Sequence, residues 1–179
     1  MTGSQRANEP INGRFQASAL EQNRAIHTED LADSRLLVSS GACLLPEQTI
    51  CIVDPETHIA CANGHIGEIW VAGNSVSQGY WQRPVATKET FHAIRKDGDD
   101  THFMRTGDLG FLHDGQLFIT GRLKELLIIR GRNHYPQDIE KTAADCHEAL
   151  APDAGAAFTL EIGGEEKLFL VHEGGLDVP

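Results

Sequence analysis

Read along its apolar and polar positions, the chain changes character near Leu36. From there the runs "LLVSSG", "QTICIVDP" and "IGEIWVAG" are short and rich in Val, Ile and Trp, and Gly, Pro, Asn or Asp closes most of them. That is the pattern of strands separated by turns. "FMRTGDLGFLHDGQLFIT" continues it, with Asp114-Gly115 set between two apolar runs. Both residues tolerate positive φ at the centre of a tight turn, so the dipeptide predicts a hairpin. "SQGYWQRPVATKETF" breaks the pattern and predicts a loop followed by a short helix over Val85–Phe91. Strand after strand at this spacing predicts a small antiparallel barrel or sandwich over residues 36–122.

After Gly121 the pattern shifts again. "LKELLIIRG" reads as a strand, and "RNHYPQDIEKTAADCHEAL" as a helix whose first position is Pro136. Proline suits that position because its missing N–H would have no intrahelical partner. Asp138 and Glu140 in the first turn complement the helix dipole. "AAFTLEIGGEEKLFLVHE" is a hairpin turning at Gly163-Gly164, so residues 123–179 form a ββαββ block, α+β in class. At the other end, "MTGSQRANEPING" lacks the apolar centre of a signal peptide and reads as a flexible polar leader over residues 1–12. In the intervening residues 13–35, Ser18-x-x-Glu21 can form a capping box that opens a short helix. Helical and loop readings both remain open for that segment.

Composition narrows the classes. With 179 residues, 40% of them hydrophobic and 23% charged, the chain can build a packed core in one domain or two small ones. Its formal net charge of -11 argues against a nucleic-acid surface, which needs clustered Lys and Arg. Cys43, Cys51, Cys61 and Cys146 show no C-x-x-C spacing, and the nine histidines form no H-E-x-x-H pair. The cysteines therefore read as buried reduced thiols of a cytoplasmic protein, and no metal set is expected. No apolar run approaches the roughly 20 residues of a membrane span.

Two residues carry candidate chemistry. A carboxylate at a strand end can accept hydrogen bonds from two vicinal hydroxyls, as ribose recognition requires. Asp108 follows Thr106-Gly107, a pair suited to a tight turn that aims it outward. Arg122, after Gly121 at the end of the next strand, offers a fixed positive charge for a sugar or phosphate. The Asp114-Gly115 turn brings both to the same end of one hairpin. Taken singly, each is more often an ordinary turn carboxylate or surface cation.

"GEIWVAGNSVSQGYW", "RTGDLGFL" and "TGRLKELLIIRGRNHYPQDIE", in that order, resemble the adenylate-forming superfamily of acyl-CoA synthetases and adenylation domains. "IIRGRNHYPQDIE" is most similar to the fatty acyl-AMP ligases, which hand activated fatty acids to carrier proteins. "FQASALEQNRAIHTEDLADSRLLVSSG" resembles the insertion that sets that branch apart. The resemblance implies that Asp108 holds the adenosine ribose hydroxyls and that Arg122 contacts the ribose and the adenylate. It places Lys124 at or next to the hinge between a large and a small domain, with "RGRNHYP" as a loop that swings toward the active site. It further implies ATP and Mg2+ as cofactors of an intact parent, with none bound to this piece alone. A fatty acid and ATP are the implied substrates, and an acyl carrier protein or a polyketide or peptide synthase carrier domain is the implied partner.

The phosphate loop, the adenine motif with its magnesium-associated Glu, and the C-terminal catalytic lysine of that family have no counterpart in these residues. The chain therefore reads as a fragment, inactive alone, that spans the end of the large domain and the start of the small one. An acyl-CoA ligase fragment and a non-catalytic docking or structural module are the alternatives. An ordered, packed Phe15–Arg35 segment would favour the acyl-AMP branch.

Overall fold

The computed structural model describes residues 2–3, 11–43 and 46–174. The chain divides between Leu123 and Lys124 into two compact units. The first contains β1 (Thr2–Gly3), β2 (Asn12–Phe15), α1 (Ala17–Leu20), β3 (Arg35–Cys43), β4 (Thr49–Val53), β5 (Gly67–Ala72), α2 (Pro84–Phe91), β6 (Met104–His113) and β7 (Gln116–Arg122). Its strands form one sheet in the order β1-β3-β7-β6-β5-β4, with β2 also paired to β3. The second unit contains β8 (Leu127–Ile129), β9 (Arg132–His134), α3 (Pro136–Ala144), β10 (Leu150–Ile162) and β11 (Glu165–Gly174). Every strand pair in both units is antiparallel. This is the α+β class expected, with an antiparallel sheet followed by a ββαββ unit.

Turn chemistry explains most of the boundaries. Asp114 and Gly115 adopt φ of 49° and 74°, the positive values that a two-residue hairpin turn demands, and they join β6 to β7. Pro84 and Pro136 stand at the first positions of α2 and α3. In the second unit, Glu140 of α3 accepts a hydrogen bond from the Ala157 N–H at 2.9 Å, which ties the helix to β10. The stretch "RGRNHYP", expected as a loop, is largely ordered as the turn at Arg130-Gly131 and strand β9, because Leu127–Ile129 pair with Arg132–His134.

Three expectations need correction. The capping box does not form, since Gln16 rather than Ser18 precedes α1 and no side chain there caps it. Asp33 takes that role instead: its carboxylate accepts the Ser18 N–H at 2.9 Å and the Ser18 hydroxyl. Those two bonds, the hydroxyl's first, hold the Asp33 carboxyl below its ordinary pKa. The leader is not wholly without structure. Thr2–Gly3 pair with Ala42 and Cys43, Asn12 pairs with Val38, and the Ser39 N–H donates to the Ile11 carbonyl, while residues 1 and 4–10 lie outside the described residues. Of the four thiols, Cys43 and Cys146 are exposed, and only Cys51 and Cys61 are partly buried. Burial pushes the Cys51 and Cys61 thiols up.

The first unit has a real core. Trp70, Val53, Ala72 and Phe103 pack together on one side. Phe15, fully buried, meets Phe111 at 4.7 Å and Phe118 at 5.3 Å between ring centroids. Ala19 and Leu20 of α1 are buried as well, so the first part of the 13–35 segment packs in this core, while most of Gln22–Ala32 is exposed. Each such side chain contributes about 1.5–3 kcal/mol on burial.

A buried hydroxyl in β7 is unsatisfied. The Thr120 hydroxyl is inaccessible and has no hydrogen-bond partner among the described residues. Thr120→Val keeps the β-branched shape and removes the desolvated hydroxyl, so it should stabilise the first unit by about 1 kcal/mol. The expected thermal midpoint rises by roughly 4 °C. A lower midpoint in a calorimetric scan would show that the hydroxyl has a partner after all.

Candidate functional site

The site grows from an irregularity in β6. Glu68 and Trp70 of β5, two residues apart, pair with Leu109 and Arg105 of β6, which are four apart. The chain from Thr106 to Asp108 therefore bulges out of the β5 ladder, and its backbone groups need other partners. Side chains supply them. The Thr106 hydroxyl donates to the Ile69 carbonyl at 2.7 Å and accepts the Asp108 N–H at 3.0 Å. The Gly107 N–H donates to Glu68 Oε1 at 3.1 Å. Gly107 itself has φ of 74°, a conformation that side chains with a Cβ rarely adopt.

Glu68 is the centre of this network, and it is only 2% exposed. Its Oε2 accepts the Trp70 indole N–H at 2.9 Å, Arg105 Nε at 2.9 Å and Arg105 Nη2 at 2.7 Å. The Arg105 guanidinium also lies 5.6 Å from the centre of the Trp70 ring. Sequence reading missed Glu68. A signal was present, however: an acid in an otherwise apolar strand, on the same face as a tryptophan two residues on, with an arginine available beside Thr106-Gly107.

A second irregularity sets Asp108 against Arg122. In the hairpin, Gly110 pairs with Ile119 but Leu109 pairs with Gly121, so Thr120 is an extra residue in β7. A regular two-residue hairpin would put Gly121 opposite Asp108. With the bulge, Arg122 stands there, and its Nε donates to Asp108 Oδ1 at 3.0 Å. The Asp108 side chain is 32% exposed and that of Arg122 is 63% exposed, so the pair opens to solvent. The backbone ladder runs one residue further, with the Leu123 N–H donating to the Gly107 carbonyl at 2.8 Å. Lys124 then opens the second unit.

The structure thus brings together Asp108 and Arg122, and Lys124 follows directly in the chain. A carboxylate with a guanidinium beside it, both reachable from solvent, can bind a vicinal diol and an adjacent negative charge at once. Among the described residues no group of three or more His, Cys, Asp or Glu could hold a metal ion. Among those residues no helix is long and apolar enough to cross a membrane.

No protein-family model matches the chain. Relatives are nonetheless plain. A medium-chain fatty acid–acyl carrier protein ligase, JamA of Moorena producens, is 47% identical over 159 residues, which cover 88% of this chain and 27% of JamA. A solved structure of a fatty acyl-adenylate ligase of Legionella pneumophila, in complex with acyl adenylate and pyrophosphate, matches with a TM-score of 0.64 and 40% identity, over 97% of this chain and 30% of that one. Another, from work on fatty acyl-adenylate ligases of E. coli and L. pneumophila, matches with a TM-score of 0.78 and 31% identity over the same shares. The chain therefore spans less than a third of the length of the proteins it matches.

Proposed function

Because the chain belongs to the adenylate-forming ligases, we propose that it falls in their fatty acyl-AMP ligase branch and supplies the ribose clamp and hinge of an enzyme that activates fatty acids. The reaction joins a fatty acid to ATP to give acyl-adenylate and pyrophosphate. The acyl group then passes to the phosphopantetheine thiol of a carrier protein. The observation that carries this reading is the Asp108–Arg122 pair at the open end of the β6–β7 hairpin.

In-line attack of a carboxylate on the ATP α-phosphate gains most of its rate from positioning and charge neutralisation. Asp108 would accept hydrogen bonds from the two ribose hydroxyls, exchanging part of its contact with Arg122 for them. Arg122 would turn toward the ribose and the adenylate charge. Lys124, directly after the last backbone bond of the first unit, is the position where a few dihedrals could absorb a domain rotation. The ordered packing of Phe15 and Leu20 on the sheet supports the acyl-AMP branch over acyl-CoA ligases. JamA, named for an acyl carrier protein as acceptor, supports a carrier protein as partner.

In the full-length protein, Asp108→Ala should weaken binding of a non-reactive acyl-adenylate analogue by about 1.5–3 kcal/mol, roughly 10- to 150-fold, the worth of charged hydrogen bonds. Arg122→Ala should do likewise. Titration calorimetry showing unchanged affinity in both variants would remove the clamp. Acyl-CoA formed as fast as acyl-adenylate would overturn the choice of branch.

A further inference from the structure

We infer that Glu68 is a positioning residue of this site: a buried carboxylate that fixes where Asp108 stands by holding the bulge between Arg105 and Asp108. The inference rests on the clamp reading above and adds to it the residue on which the clamp is built.

A carboxylate in a core is expensive to desolvate, and well-packed apolar residues in place of both partners of a buried ion pair are often as stable or more so. The Glu68–Arg105 pair beside fully buried Trp70 therefore calls for a role beyond stability. Its oxygens are divided in a particular way. Oε2 takes three donors from Trp70 and Arg105, which fasten the carboxylate to the sheet. Oε1 takes the Gly107 N–H, the one bulge amide directly before Asp108. The carboxylate therefore links the rigid β5–β6 ladder to the residue next to the clamp. Both oxygens must accept. An amide has one accepting oxygen, so glutamine would have to give up either the Arg105 and Trp70 donors or the Gly107 N–H. Thr106 fixes the other side of the bulge through Ile69, and the Gly107 carbonyl takes the Leu123 N–H of β7's extension, while the Glu68 contact ties the Gly107 N–H to β5.

A double-mutant cycle separates this role from a general effect on folding. The full-length protein would be made as Glu68→Gln, Asp108→Ala and the combination, and the dissociation constant of a non-reactive acyl-adenylate analogue measured for each. Glu68→Gln alone should weaken binding about tenfold, in line with loss of charged hydrogen bonds that hold a site in place. In the Asp108→Ala background the same change should cost less than about twofold, because the group being positioned is gone. The KM for ATP should rise while the KM for the fatty acid stays unchanged. Equal losses in both backgrounds, or no loss in Glu68→Gln where Asp108→Ala has lost affinity, would overturn the inference. No loss in Asp108→Ala itself would overturn the clamp instead, a result the single variants keep separate. Should Glu68→Gln fold poorly, Arg105→Lys keeps the charge but removes the two-nitrogen contact with Oε2. It should show a smaller loss, about threefold, that likewise disappears without Asp108, and an undiminished loss there would overturn the inference.

Discussion

Glu68→Ala should destabilise the first unit by about 3–5 kcal/mol, the largest loss expected of any single change beside the clamp. Removing the carboxylate leaves the Arg105 guanidinium without its counter-charge and the Trp70 indole N–H and Gly107 N–H without acceptors. Breaking a buried pair by deleting one partner costs about 3–5 kcal/mol where both ends are desolvated. Arg105 is 28% exposed, so solvent recovers part of that amount. The two orphaned N–H groups add about 1 kcal/mol or more each, since a buried donor without a partner keeps its desolvation penalty. With a urea dependence of about 2 kcal/mol per M, the midpoint should fall by roughly 2 M. Glu68→Gln, which keeps some of the acceptors, should lose about half as much. A midpoint within about 0.3 M of wild type for Glu68→Ala would show that the network contributes nothing to stability.

The strands and turns could be read from the sequence because their causes are local. Asp114-Gly115 adopts the positive φ values that its composition favours, and Pro136 begins α3 because its ring fits no other helical position so well. The pairing of Asp108 with Arg122 could be read only halfway. The hairpin puts both residues at one end, but the extra Thr120 in β7 makes them face each other, and nothing local in "FITGR" announces it. Cross-chain groups were hidden for the same reason. Asp33 caps α1 from 15 residues away, so the nearer Ser18 and Glu21 made a better pattern than the real one. Glu68 meets Arg105 and Gly107 only after β5 and β6 have paired. Local propensity marks elements well. Satisfaction of buried polar groups depends on which elements meet, and a chain read residue by residue does not contain that directly.

The two units should also differ sharply in protection from hydrogen exchange. In the first, β5, β6 and β7 lie between other strands of the sheet and carry Ile69, Trp70, Leu109, Phe111, Leu117 and Phe118, all buried. In the second, β10 and β11 pair only with each other among the described residues, and Ala157 is their one buried residue. Leu160, Ile162, Leu168, Leu170 and Val171 of this ribbon are exposed. Even with α3 tied to β10 through Glu140, a two-stranded ribbon with one buried residue is marginally stable in water, because the burial it achieves hardly offsets its ordering entropy. Amides of β10 and β11 should therefore exchange at least about 100-fold faster, relative to their unstructured rates, than those of β5–β7 in dilute chain. That ratio corresponds to an opening free energy lower by about 2.7 kcal/mol or more. Unpaired strand edges with apolar side chains invite a second chain, so protection of the ribbon should rise with protein concentration while that of β5–β7 stays constant. Exchange followed by NMR at two concentrations, with the mass checked by light scattering, decides the matter. Equal protection in both units of a demonstrated monomer would mean that the ββαββ unit is stable by itself, with α3 and the ribbon burying enough between them to offset the exposed apolar face.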